Sequence, residues 1–337
     1  MSMKIGVIGA GAWGTALANL LANKGLEVAL WAFEQEVCAD ILEGRENKVF
    51  LPGFPLSENI HPSNDLDEVA AGKGMLLLVM PSHVFRSVAE KLIHHPTDET
   101  LIVTASKGIE NKTHLTMSGI LEQLLPQKLH NRITVLSGPS FAKEVAQRIP
   151  TAVTVAAHDP DVAKDVQKTF ATDYFRVYTS YDVTGAELGG ALKNVMAVAA
   201  GISDGLGLGY NTRAAVITRG VTEIQRLGRS LGADPATFMG LAGIGDLVLT
   251  CTGTLSRNWT VGHKMGQGMK LDAILSDMRT VAEGVKTTKS VYNMSRKLGV
   301  EMPIVEQVYR MLYEDLDPKE ALQILMSRDL RHEIDEE

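Results

Sequence analysis

The chain is poor in cysteine and aromatic residues and has no apolar run long enough to cross a membrane. Its two cysteines, Cys38 and Cys251, are too few and too far apart for a disulfide framework or a cysteine metal cluster, so we expect a cytoplasmic protein without a metal. Basic residues are not in excess either. The net charge of −7 argues against broad binding to nucleic acid or to an anionic membrane.

What the chain does contain is typical of a folded protein of two domains. It has 337 residues, 45% of them apolar. From Met3 to about Tyr178, short β-branched apolar runs alternate with amphipathic stretches, which predicts a Rossmann-type, doubly wound parallel sheet in an α/β domain over residues 1–184. The predicted strands are Lys4–Ile8, Glu27–Trp31, Met75–Val79, Leu101–Thr104, Ile133–Leu136, Ala152–Ala156 and Phe175–Tyr178.

Helical patterns replace the apolar runs after Thr184, so we expect an all-α domain over residues 185–337. It begins with a small-residue helix around Leu188–Ala200. A longer helix is predicted to follow Asn211 as its N-cap, with one buried stripe listed as Ala214, Ile217, Val221, Ile224, Leu227 and Leu231. Further helices are predicted over Leu271–Met278, Thr288–Leu298, Ile304–Tyr313 and Pro318–Met326, and the acidic tail 333–337 is expected to be frayed.

A glycine-rich turn follows the first predicted strand and opens a helix, which is the context of a dinucleotide-binding fingerprint. In Gly9-Ala-Gly-Ala-Trp-Gly14, the first glycine permits the tight turn and Gly11 lets the backbone approach a pyrophosphate. Gly14 lets the helix pack closely on the strand. The free N–H groups of the helix N-terminus then face the anion. The alternative is an ordinary glycine-rich turn.

The end of the second strand does not decide between NAD and NADP. Glu34 stands where an acidic residue would bind the adenine ribose of NAD, but a solvated surface carboxylate explains it equally well. Arg45 is a candidate for reaching back to the 2′-phosphate of NADP. The sequence is therefore compatible with either NAD or NADP as the cofactor.

Ligands of an open parallel sheet bind beyond the carboxyl ends of its strands, so the segments after the strands are candidate site residues. They are Met80-Pro81-Ser82-His83, Ser106-Lys107-Gly108 and Ser137-Gly138-Pro139-Ser140-Phe141-Ala142. Taken alone, Lys107 is more often a surface lysine than a functional one.

Lys193 lies on an otherwise apolar helix that carries paired glycines, which cost about 1 kcal/mol each in a helix interior. Such glycines permit the close approach of another backbone or a cofactor. The lysine either reaches solvent along the helix or is held by a carboxylate, and desolvation beside another cation lowers a lysine pKa into the range of a general acid or base.

Two later segments supply partners for such a lysine. Asp246 can orient it, and Arg257 can bind a phosphate through its planar guanidinium, with Ser256 and Asn258 as neutral donors. The alternative for Arg257 and Asn258 is a solvated loop.

Taken together, the motifs resemble bacterial-type NAD(P)-dependent glycerol-3-phosphate dehydrogenases over nearly the whole chain. Seven segments occur in the order of that family: Gly9-Ala-Gly-Ala-Trp-Gly14, Lys107-Gly108, Gly138-Pro-Ser-Phe-Ala142, Leu188-Gly-Gly-Ala-Leu-Lys-Asn194, Leu241-Ala-Gly-Ile-Gly-Asp-Leu247, Ser256-Arg-Asn258 and Val281-Ala-Glu-Gly284.

The resemblance implies a role for each matching residue. Lys193 would accept and donate the proton. The substrate, glycerol 3-phosphate or dihydroxyacetone phosphate, would bind to Lys107, Gly138, Ser140, Asp246, Ser256, Arg257 and Asn258. NAD or NADP would contact Gly9, Gly11, Ala12, Trp13, Gly14, Phe33, Lys107, Ala142, Arg257, Val281 and Glu283. Ala12 and Phe33 depart from a common family pattern of a serine and a polar ring, which again leaves the cofactor preference open. The resemblance also implies a homodimer.

Two other functions are compatible with these patterns. One is another two-domain dehydrogenase of the hydroxyacid or 6-phosphogluconate type. The other is a cofactor-binding sensor without catalysis, because a fold does not establish an activity.

Overall fold

The computed structural model describes residues 3–278, 281–330 and 332–333. Residues 334–337 of the acidic tail lie outside these ranges. The ten strands of the described chain are β1 (Lys4–Ile8), β2 (Glu27–Trp31), β3 (Glu46–Asn47), β4 (Leu51–Pro55), β5 (Ile60–Ser63), β6 (Met75–Leu78), β7 (Leu101–Thr104), β8 (Ile133–Ser137), β9 (Thr151–Ala157) and β10 (Phe175–Ser180).

Seven helices lie between or beside these strands. They are α1 (Ala12–Asn23), α2 (Gln35–Gly44), α3 (Leu66–Ala70), α4 (Ser82–Leu92), α5 (Met117–Leu124), α6 (Ala142–Ala146) and α7 (Pro160–Phe170). The second half contributes α8 (Val183–Gly205), α9 (Gly209–Ser230), α10 (Asp246–Thr252), α11 (Arg257–Gly266), α12 (Leu271–Ser276), α13 (Glu283–Leu298), α14 (Pro303–Tyr313) and α15 (Pro318–Met326).

Eight strands form one sheet in the order β10, β9, β8, β7, β6, β1, β2, β5. From β1 the chain proceeds outward through β2 to β5, then returns to β6 on the other side of β1. The strand order therefore reverses between β1 and β6, and a crevice for ligands is expected at the carboxyl ends of these two strands. β1 and β6 to β8 are buried on both faces except at Lys4, as their apolar sequences predicted.

The predicted α/β domain with a helical second domain is confirmed, but one junction of the sheet differs from a wholly parallel arrangement. β9 pairs with β8 in the antiparallel direction, with Ser137 opposite Thr154, and β10 is parallel to β9. Only the short helix α6 lies between β8 and β9. A connection this short does not contain the crossover that a parallel pair requires.

Helix α8 is the centre of the second domain, and almost every residue from Val183 to Ser203 is buried. A helix that is apolar on all sides must be covered on all sides, and α9, α10, α11 and α13 pack around it.

Helix α9 begins three residues earlier than predicted, at Gly209, so Asn211 is not its N-cap. Its predicted stripe is buried only in the middle, at Val221, Ile224 and Leu227, whereas Ala214 is exposed. No helix in the described part of the chain is long and apolar enough to cross a membrane.

Candidate active site

The glycine-rich turn lies at the carboxyl end of β1, beside the point where the strand order reverses. Gly9 has a φ of +120°, and a Cβ there would clash with the carbonyl oxygen of Val79 after β6. A Cβ on Gly14 would clash with the carbonyl oxygen of Gly9. These two glycines are therefore required by the protein's own packing.

Gly11 has a different reason to be glycine. Its backbone is extended, with a φ of −64°, and no atom lies within 4 Å of the position that a Cβ would take. It is the N-cap of α1, so the unbonded N–H groups of the first helical turn face the same open space. A helix N-terminus with this clearance fits a dinucleotide pyrophosphate.

Asn47 supports the turn from below, a contact that the sequence analysis missed. Its fully buried side chain donates hydrogen bonds to the carbonyl oxygen of Ala10 and to Thr15 Oγ1, both at 2.8 Å. Thr15 Oγ1 itself donates to Ala10 O at 3.1 Å. Thr15 and Asn47 are 32 positions apart in the chain, so no local sequence pattern reveals this pair.

The structure also places the residues that were expected to distinguish NAD from NADP. Phe33 is 77% exposed next to the end of β2, and Glu34 is the N-cap residue of α2. Ala12 and Trp13 are half-buried in the first turn of α1. Arg45 does not reach toward a 2′-phosphate, because its guanidinium binds the carbonyl oxygens of Ser57 and Ile60.

Two lysines meet on one buried carboxylate beyond the carboxyl ends of the central strands. Asp246 is fully buried, and its Oδ2 accepts a hydrogen bond from Lys107 Nζ at 2.6 Å. Lys193 Nζ donates to Oδ1 of the same carboxylate. Lys107 Nζ also donates to the carbonyl oxygen of Gly138 at 3.2 Å. Of the two interpretations of Lys193, the one in which a carboxylate holds the lysine therefore applies.

Burial lowers the pKa of Lys193 to about 8. Asp246 opposes this shift and the charge of Lys107 adds to it. A lysine with this pKa exchanges its proton near neutral pH, which a solvent-exposed lysine does not do.

The paired glycines of α8 bring these charges together. A Cβ on Gly189 would clash with the carbonyl oxygen of Ala242, and one on Gly190 would lie 2.9 Å from Ser137 Oγ. Residues Leu241–Gly245 form a π-helical turn that delivers Asp246 to the first position of α10. The carboxylate gains there from the positive end of the helix dipole.

The loop after β8 borders the same space. Gly138 has a φ of +136°, and its carbonyl oxygen accepts from Ser140 Oγ at 3.1 Å as well as from Lys107. Ser140 is half-buried, and Ala142 is the first residue of α6.

Ser256 and Asn258 hold the first turn of α11. Ser256 is the N-cap, and its Oγ accepts from the backbone N–H of Trp259 at 3.2 Å. Asn258 donates to Asn194 Oδ1 and accepts from the backbone N–H of Gly284, both at 2.8 Å. Both side chains are buried, and Asn258 bonds to α8 and α13, so the alternative of a solvated loop does not apply to Asn258.

Arg257, between these two residues, makes no hydrogen bond or ion pair with any residue that the structure describes. Arg257 is exposed at the surface, but the surrounding protein atoms still desolvate its guanidinium and lower the pKa of that group. The guanidinium stays charged at neutral pH. The negative charge of Glu283 opposes this shift and raises the pKa of Arg257. Arg257 is therefore a cation available to a ligand.

Glu283 connects the two domains at the edge of the cleft. It begins α13 and accepts from the backbone N–H of Ser82 at 3.2 Å and from Ser82 Oγ at 2.5 Å. A Cβ on Gly108 would lie 2.5 Å from Ser82 Cβ, so the glycine after Lys107 leaves room for this contact. Val281, two residues earlier, is half-buried.

The predicted site residues therefore lie in two connected groups. Lys107, Lys193 and Asp246 are in direct contact, whereas Arg257 joins them only through its neighbours Asn258 and Glu283. Within the described ranges, no group of three or more His, Cys, Asp or Glu residues is placed to hold a metal ion.

Comparisons with known proteins agree with this geometry. The family model for the N-terminus of NAD-dependent glycerol-3-phosphate dehydrogenase matches residues 4–163, and the model for its C-terminus matches residues 182–323. The glycerol-3-phosphate dehydrogenase NAD(P)+ of Geobacter metallireducens is 58% identical over 333 residues, which are 99% of both chains. The protein of the same name from Syntrophobacter fumaroxidans is 56% identical over 98% of this chain and 97% of its own.

A solved structure gives the same result. The crystal structure of glycerol-3-phosphate dehydrogenase from Coxiella burnetii superposes with a TM-score of 0.92 at 39% identity, covering 97% of this chain and 99% of that one. These matches favour the first function over the hydroxyacid dehydrogenase and the sensor. The chain belongs to the NAD(P)-dependent glycerol-3-phosphate dehydrogenase family.

Proposed function

We propose that Lys193 is the proton donor and acceptor of the reaction between glycerol 3-phosphate and dihydroxyacetone phosphate. The observation that carries this proposal is the burial of Lys193 between Asp246 and Lys107, which gives it a pKa of about 8. Asp246 holds the amine in place, and Lys193 gives its proton to the oxygen on carbon 2 during reduction and takes it back during oxidation. When bound, the nicotinamide supplies or accepts the hydride.

The substrate phosphate is assigned to Arg257. Its guanidinium has no partner among the described residues, and a planar fork of N–H donors matches a phosphate group. Lys107 contributes a second positive charge near the substrate, with Gly138 and Ser140 lining the same space. Ser256 and Asn258 fix the turn that carries Arg257. This division of roles puts the proton chemistry at Lys193 and the grip on the phosphate at Arg257.

The cofactor is assigned to the glycine-rich turn and the cleft edge. Gly9, Gly11 and Gly14 shape the turn, and Ala12, Trp13 and Phe33 face the adenosine half. Lys107, Ala142, Arg257, Val281 and Glu283 border the nicotinamide half.

We also propose a division of the chain into two domains, an oligomeric state, a location and a biological role. The chain is divided into residues 1–184, which bind NAD or NADP, and residues 185–337, which bind substrate and form a homodimer. The half-exposed α9, with Tyr210 79% exposed, supports an interface on the helical domain. The proposed location is the cytoplasm, and the proposed role is to supply glycerol 3-phosphate for glycerophospholipid synthesis.

The variant Lys193→Ala tests the assignment. We expect turnover of dihydroxyacetone phosphate with NADH or NADPH to fall by about 100-fold or more, because the proton donor is lost. Cofactor binding, measured by quenching of protein fluorescence, should persist. Lys270→Ala is the matched control, since Lys270 lies on the surface in an ion pair with Asp315. Near-normal turnover in Lys193→Ala contradicts the proposal.

A further inference from the structure

Helices α8 and α11 carry the two ends of the proposed site, Lys193 and Arg257, and they pack with their backbones in contact. Four glycines line this seam: Gly201 and Gly205 on α8, and Gly262 and Gly266 on α11. A Cβ on any of them would clash with a backbone oxygen of the other helix. Such close packing sets the separation of the two helices, but a smooth glycine surface does little to prevent sliding along it.

A buried carboxylate in the last turn of α8 joins the two helices at a second point, in addition to the hydrogen bond from Asn258 to Asn194. Asp204 Oδ2 accepts a hydrogen bond of 2.6 Å from the indole Nε1 of Trp259 in α11. Its Oδ1 accepts two hydrogen bonds from Arg213 of α9, at 2.9 and 2.8 Å. The Asp204 side chain is only 7% exposed. A carboxylate at this end of a helix is opposed by the helix dipole, so the helix alone does not favour it there.

Trp259 is fixed at both of its ends. Its backbone N–H donates to the N-cap Ser256 at 3.2 Å, while its ring is held by Asp204. The indole also stacks on His263, with ring centroids 4.6 Å apart. Arg257 lies between Ser256 and Trp259 in the same helical turn, so a shift of Trp259 moves the backbone that carries the guanidinium.

We propose that Asp204 is a positioning residue for phosphate recognition. Through Trp259, and together with the hydrogen bond from Asn258 to Asn194, it fixes the first turn of α11 along α8 and thereby sets the distance from the backbone of Arg257 to Lys193. This inference rests on the role proposed above for Arg257. It adds that specificity for a phosphorylated substrate depends on a carboxylate that does not contact the substrate.

The test compares two substrates that differ only in the phosphate, dihydroxyacetone phosphate and dihydroxyacetone. The variants are Asp204→Asn, which removes the charge, and Trp259→Phe, which removes the indole N–H and keeps a ring on His263. We expect each to raise KM for dihydroxyacetone phosphate on the order of 10- to 100-fold, with a smaller change in kcat. The value of kcat/KM for dihydroxyacetone should stay within about twofold of the wild type, because this substrate makes no use of Arg257.

Two reference variants separate the possible failures. Asp315→Asn removes a carboxylate from an exposed ion pair with Lys270 and should change neither substrate. Arg257→Ala should lose the preference for the phosphorylated substrate. If it does not, the proposed role of Arg257 fails, and this inference fails with it.

If Arg257→Ala loses the preference while Asp204→Asn and Trp259→Phe keep it, the inference alone is overturned. An equal loss on both substrates also overturns it, since that result indicates a purely structural role. Should Asp204→Asn not fold, Trp259→Phe decides the question, because it leaves the carboxylate paired with Arg213.

Discussion

One carboxylate serves two lysines in this site, and its two oxygens are divided between them. Asp246 is fully buried, so both ammonium groups depend on it for compensation. Burial favours loss of a proton from Lys193 and lowers its pKa; Asp246 opposes this effect, and the adjacent charge of Lys107 adds to it.

The first prediction concerns the pH dependence of the reaction. Since the pKa of Lys193 is lowered to about 8, its ammonium form is present below that pH and is lost above it. Reduction of dihydroxyacetone phosphate requires the protonated form, so kcat/KM should fall as pH rises through about 8. Oxidation of glycerol 3-phosphate should increase over the same range. Initial rates from pH 6 to 10 measure both, and parallel profiles in the two directions would argue against this role for Lys193.

At this scale, the sequence revealed residues whose neighbours in the chain form a motif, and it missed residues whose partners are distant. Lys107, Lys193 and Asp246 were identified as candidates from their local surroundings. Asn47 and Asp204 were not, because Asn47 bonds to Thr15 and Asp204 to Trp259, each at least 32 positions away in the chain. Ser82 was predicted as part of the segment after β6, but its distant partner Glu283 was not. The expectation that Arg45 could bind a 2′-phosphate failed for the same reason. Its partners Ser57 and Ile60 lie in and beside a strand that no local pattern predicted.

Among the helices, α14 begins in an unusual way, because a buried carboxylate from α9 caps it. Glu223 accepts hydrogen bonds from the backbone N–H groups of Ile304 at 2.7 Å and Val305 at 3.2 Å. Burial nevertheless raises the pKa of Glu223 to about 7, against the effect of these donors and of Arg226 and Arg328. The protonated form of Glu223 is thus favoured in the folded protein below about pH 7.

The second prediction follows from that cap. A carboxyl whose folded pKa is raised contributes its stability at low pH and loses it as pH rises from about 4.5 to about 7. Relative to Glu223→Gln, which does not titrate, the wild type should lose up to about 3 kcal/mol of unfolding free energy over that range. Urea denaturation at pH 5 and pH 8 gives the difference. A constant gap between the two proteins would show that Glu223 does not titrate in this window.

The elements themselves were largely predictable, and the exceptions have physical causes. The boundaries of α15 and of β1, β2 and β7 agree with the sequence analysis because periodicity, proline and turn residues coincide there. Helix α9 starts early because Gly209 and Tyr210 form a first turn without a capping side chain. The antiparallel direction of β9 was not predicted, because a strand's own residues do not specify the direction of its neighbour.

Across the whole molecule, a second buried carboxylate ties the sheet domain to the central helix. Glu187 of α8 accepts from the backbone N–H of Ser118 at 2.8 Å and from Ser118 Oγ, both in the first turn of α5. Burial raises the pKa of Glu187, and the hydrogen bonds from Ser118 and Thr116 oppose that shift. This contact is a second link between the two halves, besides the contact of Glu283 with Ser82.

The third prediction is that removing this tie destabilises the whole protein. Glu187→Ala leaves the N–H of Ser118 buried without a partner, at a cost of about 1–3 kcal/mol. Ser118→Ala is the control, because it loses only the hydroxyl and keeps the backbone hydrogen bond to Glu187. Thermal denaturation should therefore show a lower midpoint for Glu187→Ala than for Ser118→Ala. Equal midpoints would assign the contact no role in coupling the domains.

The reversed strand β9 has a consequence for where the chain places Lys193, the proposed proton donor. β9 and β10 run in the direction opposite to the other strands of the sheet. The chain therefore leaves β10 at the end of the sheet that is far from the crevice, and α8 starts from there. Lys193 lies ten residues beyond Val183, a rise of about 15 Å, which is close to the length of a five-residue strand. If β9 and β10 were parallel to β8, α8 would start at the crevice, and the same ten residues would place the Lys193 amine at the far end of the sheet.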